Sequence, residues 1–321
     1  ELWNHPNTYS YNAFIGAYRV HYEEYKKVKQ KEEIKLHSKQ LIPNSMQQAF
    51  ISSLRNIRNS NESKALLISA TGTGKTYASA FALQDQNPKK ALFLVHREQI
   101  AKQALQSYKN VFKDTKTFGL LSGNSKDTNV DYLFATMQTM SKKEVYSSFA
   151  PDTFDTIIID EAHHCISDSY QRVLQHFPEA KILGVTATPD RGDMKNLGQV
   201  FDSLAYEYTL PKAIKEGYLS PIKALTIPLK LDLSGVGIQS GDFKSGDIAT
   251  ALDPYLQQIA EEMKNYCMDR KTVVSLPLVK TSQKFRDILN EQGFKAAEVN
   301  GESKDRAEIL DAFDRGEYNV L

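Results

Sequence analysis

Two short stretches of this 321-residue chain concentrate residue types that do chemistry. The first reads SATGTGKT, Ser69 to Thr76, between an apolar run, KALLIS, and a helical pattern, KTYASAFALQ. It matches the phosphate-loop pattern G-x-x-x-x-G-K-[ST] at Gly74, Lys75 and Thr76, with Ser69 in the place of the first glycine. The spacing predicts a cradle built from Thr71, Gly72, Thr73, Gly74, Lys75 and Thr76. Gly72 and Gly74 let the backbone turn tightly and aim N–H groups at phosphates, and the helix that follows adds its positive end. Lys75 supplies a point charge for the β and γ phosphates, and Thr76 a hydroxyl for Mg²⁺.

The second stretch is TIIIDEAHHCISD, Thr156 to Asp168. Two acids, two imidazoles and a thiol within six residues suit either a metal-ligand cluster or the mouth of a nucleotide pocket. Zinc is the weaker reading, because Cys165 has no nearby partner cysteine and adjacent His163 and His164 are expected to point apart. A phosphate loop, in contrast, needs a carboxylate at a neighbouring strand end for Mg²⁺ and often a second for the attacking water. Asp160 fits the first role and Glu161 the second.

The elements that must position these residues alternate. KALLIS, KALFLV, DYLFAT, TIIID and KILGVTAT read as short strands, and HREQIAKQALQSYKNVF carries apolar residues at helical spacing. Continuous apolar runs, rather than in-and-out alternation, indicate a parallel sheet covered by helices on both faces. After Leu210, PKAIKEGYLSP reads as a short helix stopped by Gly217, and IPLKLDL as a half-exposed strand. Gly235, Gly237, Gly241 and Gly246 then mark a loop expected to be mobile. A second α/β pattern follows: KTVVSL, KAAEVN and NVL as strands, a helix ending at Gly293, and a helix capped by Ser303 and ended by Gly316.

Composition narrows the class. With 41% hydrophobic and 25% charged residues the chain has the material for globular cores. No apolar stretch approaches a membrane span of ~20 residues. The formal net charge of +1 provides no global basic field, so any nucleic-acid surface must be local. The two cysteines, Cys165 and Cys267, form no framework and read as small apolar residues in a reducing, cytoplasmic setting. The start at Glu1 and the end on the apolar NVL read as the ends of a piece of a longer polypeptide.

In order along the chain, SATGTGKT, DEAH at Asp160 to His163 and TAT at Thr186 to Thr188 resemble motifs I, II and III of superfamily two helicases. IPNSMQQ resembles the segment in which Gln47 would read adenine. LVHREQI, GLLSG and FATMQTM resemble segments that face a nucleic-acid backbone, which implies contacts from Arg97, Gly123, Thr136 and Gln138. The resemblance gives His163 a place in the hydrolytic site and implies that Thr186 and Thr188 couple nucleotide state to nucleic acid. The fold it implies is α/β, two tandem RecA-like parallel-sheet lobes, the second incomplete. A partly helical connector (1–38) would precede a first, ATP-binding lobe (39–212) and a linker with the second lobe (213–321).

More narrowly, the chain looks like bacterial DEAH helicases with an upstream phospholipase-D-like nuclease domain, and like restriction-enzyme motor subunits. The function implied is an ATP- and Mg²⁺-dependent motor, a helicase or a translocase, in restriction, defence or repair. DNA, single-stranded or duplex, is implied over RNA as partner, with a nuclease domain or subunit nearby and no membrane. Motifs V and VI are absent, so the chain alone is expected to hydrolyse ATP slowly. A second class of function, a nucleotide-responsive binding or assembly module, shares the phosphate loop. A small-molecule phosphotransferase leaves TAT and the second α/β half unexplained.

Overall fold

The computed structural model describes residues 41–187, 197–224, 226, 232–239 and 242–321. The connector expected over 1–38, Thr188 and most of the IPLKLDL strand lie outside them. The chain divides into two compact units, one reaching Pro221 and one starting at Ile222.

The first unit is built on a seven-stranded sheet, all of whose pairings are parallel. In chain order its elements are α1 (Ser45–Asn59), β1 (Lys64–Ser69), α2 (Lys75–Gln86), β2 (Ala91–Val95), α3 (Glu98–Phe112), β3 (Phe118–Leu121) and β4 (Tyr132–Thr136). The short helices α4 (Met137–Met140) and α5 (Lys143–Tyr146), β5 (Thr156–Asp160), a 3₁₀ turn (Ala162–His164) and α6 (Asp168–His176) follow. β6 (Lys181–Thr186), β7 (Ser203–Tyr208) and α7 (Leu210–Lys215) complete it. The strands lie in the order β3-β4-β2-β5-β6-β1-β7.

The apolar runs have a direct cause. In β5, Ile158 packs into the core shared with α1, α2 and α3, while Ile157 and Ile159 pack into the core on the opposite face, with α6 and the 3₁₀ turn. Successive side chains point to opposite faces, and both faces are dry, so every position must be apolar. Each isoleucine so buried contributes about 1.5–3 kcal/mol. β3 and β7, which the apolar-run reading passed over, are the two edge strands. β7 has the half-exposed pattern of an edge, with Leu204 48% exposed.

The second unit departs from the strand expectation. KTVVSL, KAAEVN and NVL are extended but meet only through single parallel bridges, Thr272 with Val320 and Ala296 with Val320. Thr272 N–H donates to Asn319 O (2.8 Å) and Ala297 N–H to Val320 O (3.0 Å), so residues 319–321 lie between the other two segments. Val273, in the first of these segments, is 71% exposed. Within the glycine-rich stretch, of which Gly241 lies outside the described residues, β8 (Ile238–Gln239) pairs antiparallel with β9 (Asp242–Phe243), and Lys244 N–H donates to Gly237 O. α8 (Ser245–Leu252), α9 (Leu256–Cys267), α10 (Val279–Glu291) and α11 (Arg306–Arg315) follow. Leu256, Ala260, Phe285 and Leu289 from α9 and α10 form the small core. Ser303 does not cap α11; the cap position is Asp305, and the Ser303 hydroxyl instead accepts from Asn300 N–H at 2.9 Å.

Candidate nucleotide site

In an open parallel sheet, ligands gather at the carboxyl ends of the strands. There β1 runs into the phosphate loop. Gly72 and Gly74 adopt φ +85° and +86°, a left-handed conformation that side chains with a Cβ rarely take. The loop is tied down from within: Ser69 and Thr73 hydroxyls meet at 2.6 Å, and the Thr73 hydroxyl donates to Ala70 O at 2.6 Å. Both side chains are buried, whereas Thr71 is exposed and Lys75 and Thr76 are half-buried.

Gln47 is held on both sides. Asn44 and Gln47 form a reciprocal capping box at the start of α1, with Asn44 N–H donating to Gln47 Oε1 at 2.9 Å. The Gln47 amide then donates to Gly74 O at 3.2 Å. The residue is buried, and it braces the loop with one amide proton and one oxygen lone pair left over. A Cβ on Gly74 would stand 3.1 Å from Gln47 Nε2, so loop and brace fit closely.

Two strands away, β5 delivers Asp160 and Glu161. Glu161 has φ +50° and ψ 54°, which a non-glycine residue adopts only when its surroundings impose it. Burial raises the Asp160 carboxyl above its ordinary range, and the neighbouring Glu161 charge pushes it further. Burial likewise lowers the Lys75 ammonium, while the Glu161 and Asp160 charges pull it back. Lys75 therefore sits within the electrostatic reach of both carboxylates, and its charge does not offset what burial costs Asp160. A loop of left-handed glycines, an ammonium and a destabilised carboxylate are the donor set that a nucleoside triphosphate with Mg²⁺ would satisfy.

β6 lies between β1 and β5 and brings Thr186 to the same edge. Its buried hydroxyl stands 3.1 Å from His163 Nδ1, which also faces Glu161 Oε2 at 3.4 Å. The His163 and His164 rings do not diverge as expected; their centroids are 4.0 Å apart. Among the described residues no three of His, Cys, Asp and Glu converge as a metal-holding set. Cys165 is fully buried, its thiol pushed up to about 12 by burial, and behaves as a small apolar residue.

The remaining predicted residues lie along the same edge, on the far strands. Arg97 is exposed at the N-cap of α3, after β2; Gly123 is exposed after β3; Gln138 is exposed after β4. Thr136 differs, being buried with its hydroxyl donating to Thr139 Oγ1 at 2.9 Å, so it shapes the turn.

Two positions escaped sequence reasoning. Gly184 in β6 accommodates the Phe201 ring, since a Cβ there would stand 2.3 Å from Phe201 Cζ and 3.0 Å from Ala162 Cβ at the start of the 3₁₀ turn. His96, although it stands in LVHREQI beside Arg97, is placed by the structure against His164 (centroids 4.4 Å). Asn44 was legible, since N-x-x-Q ahead of an apolar helix is a capping signature.

Residues 40–191 match the family described as type III restriction enzyme, res subunit. A Saccharomyces cerevisiae protein described as the ATP-dependent helicase IRC3 is 27% identical over 279 residues, 78% of this chain and 40% of that protein. The Escherichia coli type I restriction enzyme EcoAI endonuclease subunit is 32% identical over 190 residues, 54% of this chain and 23% of the subunit. The chain thus spans less than half the length of either relative. Its fold follows that of the ATP-dependent type ISP restriction-modification enzyme LlaBIII bound to DNA, with a TM-score of 0.60 and 15% identity, covering 88% of this chain and 24% of that one. With the parallel sheet and the loops at its carboxyl edge, the family and relative matches support a superfamily two helicase related to the motor subunits of restriction enzymes.

Proposed function

We propose that this chain is the ATP-hydrolysing core of a motor that moves on DNA. The observation that carries the reading is the shared edge on which the phosphate loop, Asp160 and Glu161 meet, with burial raising the Asp160 carboxyl and lowering the Lys75 ammonium. In this reading the backbone of Thr71 to Gly74 holds the phosphates, Lys75 offsets their charge and Gln47 reads the adenine beside the loop that it braces. Thr76 and Asp160 would hold Mg²⁺, which when bound neutralises charge on the β and γ oxygens. Glu161 orients the attacking water and takes its proton, and His163 with Thr186 fixes that carboxylate. Thr188 would share the coupling role.

The unit reaching Pro221 serves as the nucleotide-binding lobe (39–212 in the sequence reading), and the unit from Ile222 as the linker and second lobe. Arg97, Gly123 and Gln138 offer a cation, an open backbone and an amide to a phosphate backbone, with Thr136 setting the turn. DNA over RNA rests on likeness to restriction subunits and to a DNA-bound relative. The same likeness supports a nuclease domain or subunit as partner and a setting in restriction, defence or repair. No helix among the described residues is long and apolar enough to cross a membrane.

Glu161→Gln in the full-length protein tests the assignment. The amide keeps size and polarity but cannot take a proton, so ATP binding should persist while DNA-stimulated turnover falls roughly 10²- to 10⁴-fold. Near-normal turnover would remove Glu161 from its role, and no stimulation of the wild type by any DNA or RNA would overturn the motor reading.

A further inference from the structure

The strand order sorts the proposed chemistry. β1, β6 and β5 carry the nucleotide loops, and β2, β4 and β3 carry Arg97, Gln138 and Gly123. The two sets meet at one seam, where β5 pairs with β2 (Ile159 beside Leu94). Above that seam, at the carboxyl edge, the His96 and His164 rings pack edge to face at 86°.

Neither histidine fills the core, for both are exposed. Each is held in place by what surrounds it. Buried Tyr170, on α6, lies with its hydroxyl 3.4 Å from His96 Nε2 and its ring 5.8 Å from the imidazole. His164 ends the 3₁₀ turn that starts from strained Glu161, and its ring lies against His163, the partner of Thr186. On the other side of the seam, His96 is covalently next to Arg97. An unbroken line of contacts therefore runs from the hydrolytic carboxylate to the cation that would grip DNA.

We propose that the His96–His164 pair, seated on Tyr170, is the contact through which the DNA-facing loop after β2 positions the Glu161 turn. The pair acts by position and takes no part in the bond changes. Glu161's backbone sits in a sparsely populated conformation that its surroundings impose, so the packing of the turn decides where its carboxylate stands. The His96–His164 edge-to-face contact joins the loop after β2 to the 3₁₀ turn after β5 directly, side chain to side chain. The inference rests on the motor reading above, because it assigns the device that joins its two halves.

Coupling is a ratio of affinities, so the test measures one. A fluorescent, non-hydrolysable ATP analogue would be titrated into the full-length protein with and without saturating duplex or single-stranded DNA. Wild type should show a DNA-dependent change in affinity, commonly about 5- to 150-fold in coupled systems. His96→Ala should bring that ratio close to one while nucleotide affinity without DNA stays at the wild-type value. His96→Phe keeps a ring against His164 and should retain most of the ratio, an outcome that general loosening of the fold would not give. Tyr170→Phe, a substitution that preserves packing, should lower the ratio by loosening His96 alone. A wild-type ratio in both His96→Ala and Tyr170→Phe would overturn the relay and leave the motor reading standing. A wild-type protein with no coupling to any DNA would overturn both.

Discussion

Lys75 and Asp160 are held in states that the fold itself disfavours, and that makes them testable singly. Lys75→Ala removes the ammonium proposed to offset the phosphate charge, and calorimetric titration should show tight ATP·Mg²⁺ binding lost. Asp160→Asn should do the opposite to stability. Burial and the Glu161 charge raise the Asp160 carboxyl, so the folded protein holds that proton more tightly than the unfolded chain does. Its ionisation costs nothing at pH below the ordinary carboxylate range, and the cost appears as pH rises through the raised value. In Mg²⁺-free buffer at pH 7 the asparagine variant should therefore melt above wild type. The gap should close on acidification towards pH 3, as read by thermal melts across pH. A variant melting below wild type at pH 7 would show that Asp160 is satisfied without a cation.

At the scale of elements, the position of the 3₁₀ turn depends on β6 being bare at Gly184. A methyl group there meets the Phe201 ring and Ala162 at distances that packed atoms do not tolerate. Gly184→Ala should therefore destabilise the first unit by about 1–3 kcal/mol, the usual cost of overpacking, measurable by denaturant unfolding. Ala162 directly follows Glu161, so turnover should fall by more than nucleotide affinity does. Unchanged stability would mean that Phe201 swings clear without cost. α1 works in the same way: the capping box fixes Gln47, and Gln47 in turn fixes Gly74.

For the whole molecule, a net charge of +1 means that the proposed DNA affinity would come from a few local cations rather than from a broad field. Arg97→Ala should weaken binding about equally for all sequences and reduce the salt dependence by about one unit of slope, the signature of one lost phosphate contact. Binding isotherms at several salt concentrations would show it. An unaltered slope would place the DNA elsewhere.

How much of this was legible from sequence follows from how local each determinant is. The phosphate loop, Asp160-Glu161 and the buried strands were readable because glycine conformations, a helix start and two-faced burial leave marks within a few neighbouring residues. The sequence by itself determined which residue types arrive at strand ends, and hence the nucleotide chemistry. The edge strands, the single bridges of the second unit and the burial of Thr136 were not readable, because exposure depends on what packs from elsewhere in the chain. Only the tertiary structure decided that β6 and β5 stand between the phosphate loop and β2. That order brings Thr186 to His163, forbids a side chain at Gly184 and sets His96 against His164. Strand order is fixed by long-range burial of two whole faces, and no short stretch of sequence encodes it.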